Sequence, residues 1–264
     1  MSLLPDPLRT RLSFQARRLI RRVQDLGRAR RFADERSRNN LAFPVKGHRL
    51  PIYRNLSGVD RSLFDNKKVN LRLAIEQLDG VLIPGGKLFS LWRLMGPPTA
   101  QRGFREGLVL ERGRPSSGIG GGLCQLANAL FWLALHSELN VVERHHHSVD
   151  LFPDDHRTVP FGTGATIVYN FKDLRLFNPG KTTYQFRLEV TDDALVARLF
   201  AAEPPVHRYV VVESDHDFVN ASDGLYRRNT IRREKWDTLG NRVATETLFR
   251  NFSKCRYSAQ EAFS

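Results

Sequence analysis

One stretch constrains the architecture more than any other. From Leu123 to Leu135 the chain contains no Gly or Pro, and Gln125 and Asn128 are its strongly polar side chains. Helix formers dominate it and it is longer than an ordinary strand, so it reads as an α-helix. A helix apolar nearly all round has no face to offer water and belongs at the centre of a fold. It is not a membrane span. Its longest unbroken apolar run, Ala129 to Leu135, has 7 residues, against the ~20 that a bilayer requires.

Such a helix needs a sheath, and the pattern elsewhere supplies one. Period-two alternation in Tyr184–Val190, Leu195–Phe200 and His207–Val212 marks half-buried antiparallel strands. Tyr226–Leu248 continues the pattern, with a turn at Leu239-Gly240-Asn241. Earlier, Lys68–Asp79 places Leu71, Ala74, Ile75 and Leu78 on one helical face and stops at Gly80. Val81–Ile83 and Leu108–Leu110 read as short strands, and Leu139–Leu151 reads as extended. Residues 38–60, with Phe43-Pro44 and Leu50-Pro51, read as a link, and Ser116–Gly122 as a flexible run. The fold class is therefore α+β: a central buried helix packed on a mainly antiparallel sheet, preceded by a basic helix. The expected division is a basic helical segment over 1–45 and an α+β domain over 46–264, strand-rich from 201 onward.

Charge is distributed unevenly. Lys and Arg number 41 and Asp and Glu 28, a formal net charge of +13, which favours anionic partners. Between Arg11 and Arg38 ten arginines face three acids, Asp25, Asp34 and Glu35. Leu12, Leu19, Ile20, Val23 and Leu26 fall among them at helical spacing. A basic amphipathic helix of this kind either packs its Leu19/Val23/Leu26 stripe on the body of the protein or lies on an anionic membrane surface. Nucleic acid is not the expected partner, because no zinc-finger spacing, RNP motif or helix-turn-helix accompanies the charge. The chain needs no disulfide framework at this length. Its two cysteines and the absence of an apolar leader read as cytoplasmic, with peripheral attachment to the inner face of the membrane as the extension of that reading.

The chemistry concentrates where the glycines meet the helix. Gly120, Gly121 and Gly122 precede Leu123, so Cys124 sits at the helix start, where free N–H groups and the helix dipole favour a thiolate. The same amides, with Gln125 as a further donor, can hold an oxyanion. About twenty residues on comes Glu143-Arg144-His145-His146-His147. On a strand His145 and His147 share a face, and a returning strand brings His147 to Cys124 as acid and base. Asp150, Asp173 and Asn178 are candidates to orient that imidazole. An alternative assignment has Gly120–Gly122 cradling an anion with Arg144 and His145 beside it. A third gives Cys124, His145 and His147 to zinc. No cofactor is expected. The ordinary structural readings are a buried small thiol, polar strand histidines and, for Cys255, an incidental cysteine between Lys254 and Arg256.

At these residues the chain resembles the VanW family. Asn70-Leu-Arg-Leu-Ala-Ile-Glu-Gln-Leu-Asp-Gly80, Pro84-Gly85 with Phe89-Ser90, and Gly107–Leu110 are similar to its N-terminal part. Gly118-Ile-Gly-Gly-Gly-Leu-Cys-Gln-Leu126 with Glu143-Arg144 and His147-Ser148 is similar to its signature. Pro160-Phe-Gly-Thr-Gly-Ala-Thr166, Asp173-Leu174 and Asn178 continue the likeness, over about residues 48–200. Where more distant members carry Asp this chain has Gly164, which leaves Asp150 or Asp173 as the carboxylate. The resemblance implies a bacterial accessory factor connected with the cell envelope or glycopeptide resistance. Two functions follow as expectations. One is a Cys–His thiol enzyme acting on amide bonds of peptidoglycan-related peptides. The other is a non-catalytic module that binds an anionic ligand or a membrane-surface partner.

Overall fold

The computed structural model describes residues 6–27, 31–53, 60–111, 114–147, 149–150 and 158–257. In chain order it begins with helix α1 (Asp6–Leu26), strand β1 (Phe43–Pro51), helix α2 (Arg61–Leu78) and strands β2 (Leu82–Ile83) and β3 (Leu88–Ser90). A short helix α3 (Leu91–Met95), a hairpin β4 (Glu106–Glu111) and β5 (Arg114–Ile119), and the apolar helix α4 (Leu123–Ala134) follow. The remainder is strand: β6 (Asn140–Glu143), β7 (Val149–Asp150), β8 (Arg175–Phe177), β9 (Tyr184–Val190), β10 (Ala194–Ala201), β11 (Arg208–Ala221), β12 (Gly224–Trp236) and β13 (Arg242–Cys255). The class is α+β. Among the described residues no helix is long and apolar enough to cross a membrane.

Helix α4 lies at the centre. Leu126, Ala127, Ala129, Leu130 and Leu133 are completely buried. One wall is the antiparallel sheet β1-β10-β9-β2, with β1 and β10 packed directly on α4. Helix α2 covers another side, capped at its start by Asp60, whose carboxylate accepts from the Ser62 amide. It ends before Gly80, whose backbone at φ +76° passes so close to the Ser37 carbonyl that a Cβ would stand 2.2 Å away. The long meander β11-β12-β13, joined in parallel by β7, closes the core from below through Phe249, whose ring lies 6.0 Å from Phe131. Two expectations need correction. The link at 38–60 contains β1, paired along its length with β10, so the strand runs across the expected boundary at 45/46. Its prolines misled because β1 is an edge strand, where Pro44 falls beside a bulge and Pro51 at the end, and neither interrupts an inner ladder. The supposedly flexible run at 116–122 is in part the strand β5, paired with β4 from Arg114 to Ile119.

Helix α1 docks the other way round from its expected packing. Arg21 forms a bidentate pair with Glu143 at 2.6 and 2.9 Å and donates to the Phe171 carbonyl. Arg18 donates to the Tyr169 carbonyl, and Asn170 returns a bond to the Arg18 carbonyl. Asp25 grips the buried Arg175 at 2.9 and 2.6 Å, and Arg175 also reaches Asp173. The surface under α1 presents carbonyls, a carboxylate and a buried guanidinium, so it selects the charged face of the helix. The stripe expected to pack inward points to solvent instead: Leu19, Ile20, Val23 and Leu26 are 56 to 73% exposed.

Asp25 should therefore hold α1 in place. Asp25→Ala leaves Arg175 with Asp173 but removes two charge-assisted bonds, and is expected to cost about 2 kcal/mol in denaturant titration. Amide exchange should rise along α1 far more than in α4, and uniform exchange would contradict this account of the docking.

Candidate functional site at the first turn of the central helix

The glycines before α4 are explained by packing. The backbone of Gly121 lies against that of Gly107 in β4, and a Cβ at 121 would stand 2.1 Å from the Gly107 carbonyl atoms. Gly122 caps α4 at φ +94°, where a Cβ would strike the side chain of Lys67. Lys67 itself is buried and donates to the Ile52 carbonyl, and Asn70 of α2 bonds both the Gly121 carbonyl and the Arg105 backbone. Gly120 makes the turn out of β5 beside Pro98. The three glycines thus let β4, α2 and α4 meet at one point. Gln125 donates from Nε2 to the Pro51 carbonyl, so its amide is committed to β1, while its buried Oε1 has no partner among the described residues.

Cys124 follows in the first turn. The backbone N–H groups of Ile167 and of Cys124 itself favour its thiolate. Burial nevertheless dominates and pushes the thiol up from its ordinary value. One turn further on, Asn128 accepts the Ala165 amide at 2.7 Å. His147 approaches the same segment beside Asn128, both bordering the Cβ position of Gly164. Its Nδ1 lies 2.9 Å from the Thr166 hydroxyl, and burial, reinforced by Arg144, His146 and Lys172, pushes it down to about 4. The imidazole leans over Gly164: a Cβ there would be 2.7 Å from His147 Cδ2, 3.0 Å from Nε2 and 3.2 Å from Asn128 Oδ1. A side chain at 164 would displace the ring.

Residues 164–167 are therefore a rib on which Cys124, Asn128 and His147 converge. No hydrogen bond joins Cys124 to His147 among the described residues. Asn128 and Thr166 were absent from the sequence-derived site. The available signal for Asn128 was its spacing of four from Cys124, which puts both on one helical face.

The remaining candidates are occupied elsewhere. Arg144 donates to the carbonyls of Gly164, at 2.9 Å, and Gly162, and its guanidinium stacks over Phe131 and Phe249 at 4.9 and 4.4 Å. Burial brings it down to about 10, so it stays charged. His145 Nε2 faces Glu143 at 3.0 Å, in the cluster that holds Arg21. Asp150 takes the Tyr257 hydroxyl at 2.7 Å and the buried Arg227 at 3.4 Å. Asp173 accepts from Ser90, the Trp92 amide and Arg175, anchoring α3 and β8. Asn178 bridges the carbonyls of Ile83 and Thr182. None of these three is hydrogen-bonded to His147, whose orienting partner is Thr166. Cys255 is buried opposite Asp150 in the register of β13 and β7. Among the described residues no three His, Cys, Asp or Glu side chains are grouped to hold a metal ion.

Residues 66–200, from α2 through β10, match the family model described as VanW like protein. The chain is also 31% identical over 212 residues to the vancomycin B-type resistance protein VanW of Enterococcus faecalis, covering 80% of this chain and 77% of that protein. The chain belongs to the VanW family. A second relative, YoaR of Bacillus subtilis, is 24% identical over 137 residues, 51% of this chain and 43% of that protein. No solved structure matches. The VanW match contains Cys124, Asn128, His147, Gly164 and Thr166, whereas α1 and the β11–β13 meander lie outside the family model.

Three outcomes follow for this VanW-like chain. Gly121→Ala should destabilise by about 2 kcal/mol or more, while Gly47→Ala, with open space at its Cβ position, should be nearly neutral in the same thermal melts. Alkylation of Cys124 in a Cys255→Ala background should titrate above the ordinary thiol value, and His147→Ala should leave that profile unmoved. A profile depressed by His147 would mean the pair is coupled. Lastly, His147 is about 4 in the folded chain against 6.5 ordinarily, and so is the buried His136. Between those values the unfolded chain binds the extra protons, so stability is full above pH 6.5 and falls as pH drops toward 4. Each histidine contributes at most about 3 kcal/mol. His136→Gln and His147→Gln should each flatten the slope of unfolding free energy against pH.

Proposed function

We propose that this protein is an accessory factor of glycopeptide resistance connected with the cell envelope, and that Cys124 is a nucleophile for amide bonds in peptidoglycan-related peptides. Similarity to the vancomycin B-type resistance protein supports the first part. The observation that carries the second is the position of Cys124 in the first turn of α4, after a glycine cap, with the Ile167 amide of the facing segment favouring its anion. Donors so placed stabilise a thiolate and then the oxyanion of a tetrahedral adduct. Gln125, tied to the Pro51 carbonyl, is not needed for that role. A peptide lying along 164–167 would bring its scissile nitrogen toward His147. The thiol proton passes to His147 Nε2, sulfur bonds to the carbonyl carbon, and the proton goes to the leaving amine as the C–N bond breaks. Water or an acceptor amine then releases the acyl group from sulfur. Thr166 and Asn128, rather than Asp150 or Asp173, take the positioning roles. For a cytoplasmic protein the substrates would be precursors or recycled fragments.

The second reading, a non-catalytic module for a peptide-like or anionic ligand, draws on the missing Cys124–His147 hydrogen bond and on the neutral state of both groups at rest. One experiment separates the two. Purified protein is incubated with peptidoglycan stem peptides, and amide cleavage and acylation of Cys124 are followed by mass spectrometry, with binding measured calorimetrically. Catalysis predicts an acyl adduct on Cys124, loss of turnover by at least about 10³-fold in Cys124→Ser, and a 10²–10⁴-fold loss in His147→Ala, on the order expected for removal of a nucleophile or a general acid–base. Equal binding by wild type and Cys124→Ser, with no cleavage by either, would leave the module reading in its place.

A further inference from the structure

We propose that the outer face of α1 seats this protein on an anionic lipid bilayer. The proposal is independent of the chemistry at Cys124. In a helix packed on a soluble protein the apolar stripe ordinarily faces inward. Here Arg18, Arg21 and Asp25 face inward and are bonded to the body. Leu19, Ile20, Val23 and Leu26 form a continuous strip on the opposite side, each more than half exposed. Arg22, exposed, stands on one shoulder, and Arg17, also exposed, stands on the other with its guanidinium over the Phe171 ring at 5.1 Å. The acids in the helix sequence are Asp6 and Asp25, and Asp25 is spent on Arg175. The outward face described here thus offers apolar side chains bordered by guanidinium groups and no carboxylate.

A bilayer with anionic headgroups matches both features. Apolar side chains of a surface helix sink into the boundary between headgroups and acyl chains, and arginines at that depth bind lipid phosphates. A second copy of the chain fits less well. Pairing two such helices would bring arginine shoulders together, and a strip of four side chains falls well short of the ~800 Å² per partner of a stable interface. The inward bonds keep α1 on the body while its outer face is engaged, so the whole fold would be held against the membrane without a spanning segment.

The test is co-sedimentation of the full chain with vesicles of phosphatidylcholine alone or mixed with phosphatidylglycerol. Binding is expected to the mixed vesicles, weaker by about tenfold or more to the neutral ones, and to fall with added salt. Leu19→Gln with Val23→Gln, both at exposed positions, should lower partitioning by at least about tenfold with an unchanged melting temperature. Arg22→Gln should lower it by about fivefold and soften the salt dependence. The proposal fails if neither vesicle binds, or if binding is the same for both vesicles and for the double variant. It also fails if the wild type self-associates in solution and the double variant does not, which would give the strip to a second copy.

Discussion

The fold is organised by the need to bury a helix that has no polar face. α4 cannot lie at a surface, so every neighbouring element exists partly to cover it: β1 and β10 on one side, α2 on another, and the β13 end of the meander through Phe249. Complete enclosure leaves the ends of the helix as the places where its polar groups meet the rest of the chain. At the far end the His136 ring and the Ser137 hydroxyl bond the last carbonyls, of Trp132 and Ala134. At the near end there is no side-chain cap. Gly122 turns in the left-handed region, and a glycine-to-glycine contact with β4 brings three elements together. Cys124 emerges at that end, which makes the site a consequence of how the core closes.

Polar chemistry in this protein gathers on one irregular segment. Residues 160–175 form little regular structure, yet they receive Arg144 at the Gly162 and Gly164 carbonyls, Asn128 at Ala165, His147 at Thr166, and Arg18 and Arg21 at Tyr169 and Phe171. Backbone carbonyls outside a sheet ladder need donors, and arginines supply them at long reach. The same requirement inverts α1. A surface rich in unpaired carbonyls and carrying Glu143 and Arg175 gains more from guanidinium and carboxylate groups than from leucines. Segment and helix are therefore coupled: the Glu143 that anchors Arg21 also receives the Asp173 amide and faces His145.

Much of this was legible in the sequence. The extent of α4, the strand Tyr184–Val190, the turn at Gly240 and the α+β class followed from composition and period, because long periodic segments declare themselves locally. Strand β1 did not, since two prolines hide an edge strand from any local rule. Nor did the inverted docking of α1: amphipathicity gives the direction of the apolar face relative to the charged one, but the chemistry of the surface beneath decides which face turns inward. At the candidate site, residue type and order nominate Cys124 and His147, and the structure brings both to one segment. The carboxylates nominated with them, Asp150 and Asp173, each bond a buried arginine instead. Thr166 lies nineteen residues beyond His147, and only the folded rib brings them together.

A neutral thiol and a neutral imidazole on one rib form a different resting state from a preformed ion pair. Two amide donors at Cys124 favour the anion, but desolvation outweighs them, and desolvation, reinforced by the positive groups nearby, keeps a proton off the His147 ring. In the proposed mechanism, proton transfer from sulfur to imidazole converts two half-buried neutral groups into an attracting pair, and a peptide displacing water there would strengthen that attraction. On the proposal that Cys124 is a nucleophile, the ligand becomes part of the electrostatics, because covering the rib is what would favour the charged pair over the neutral one.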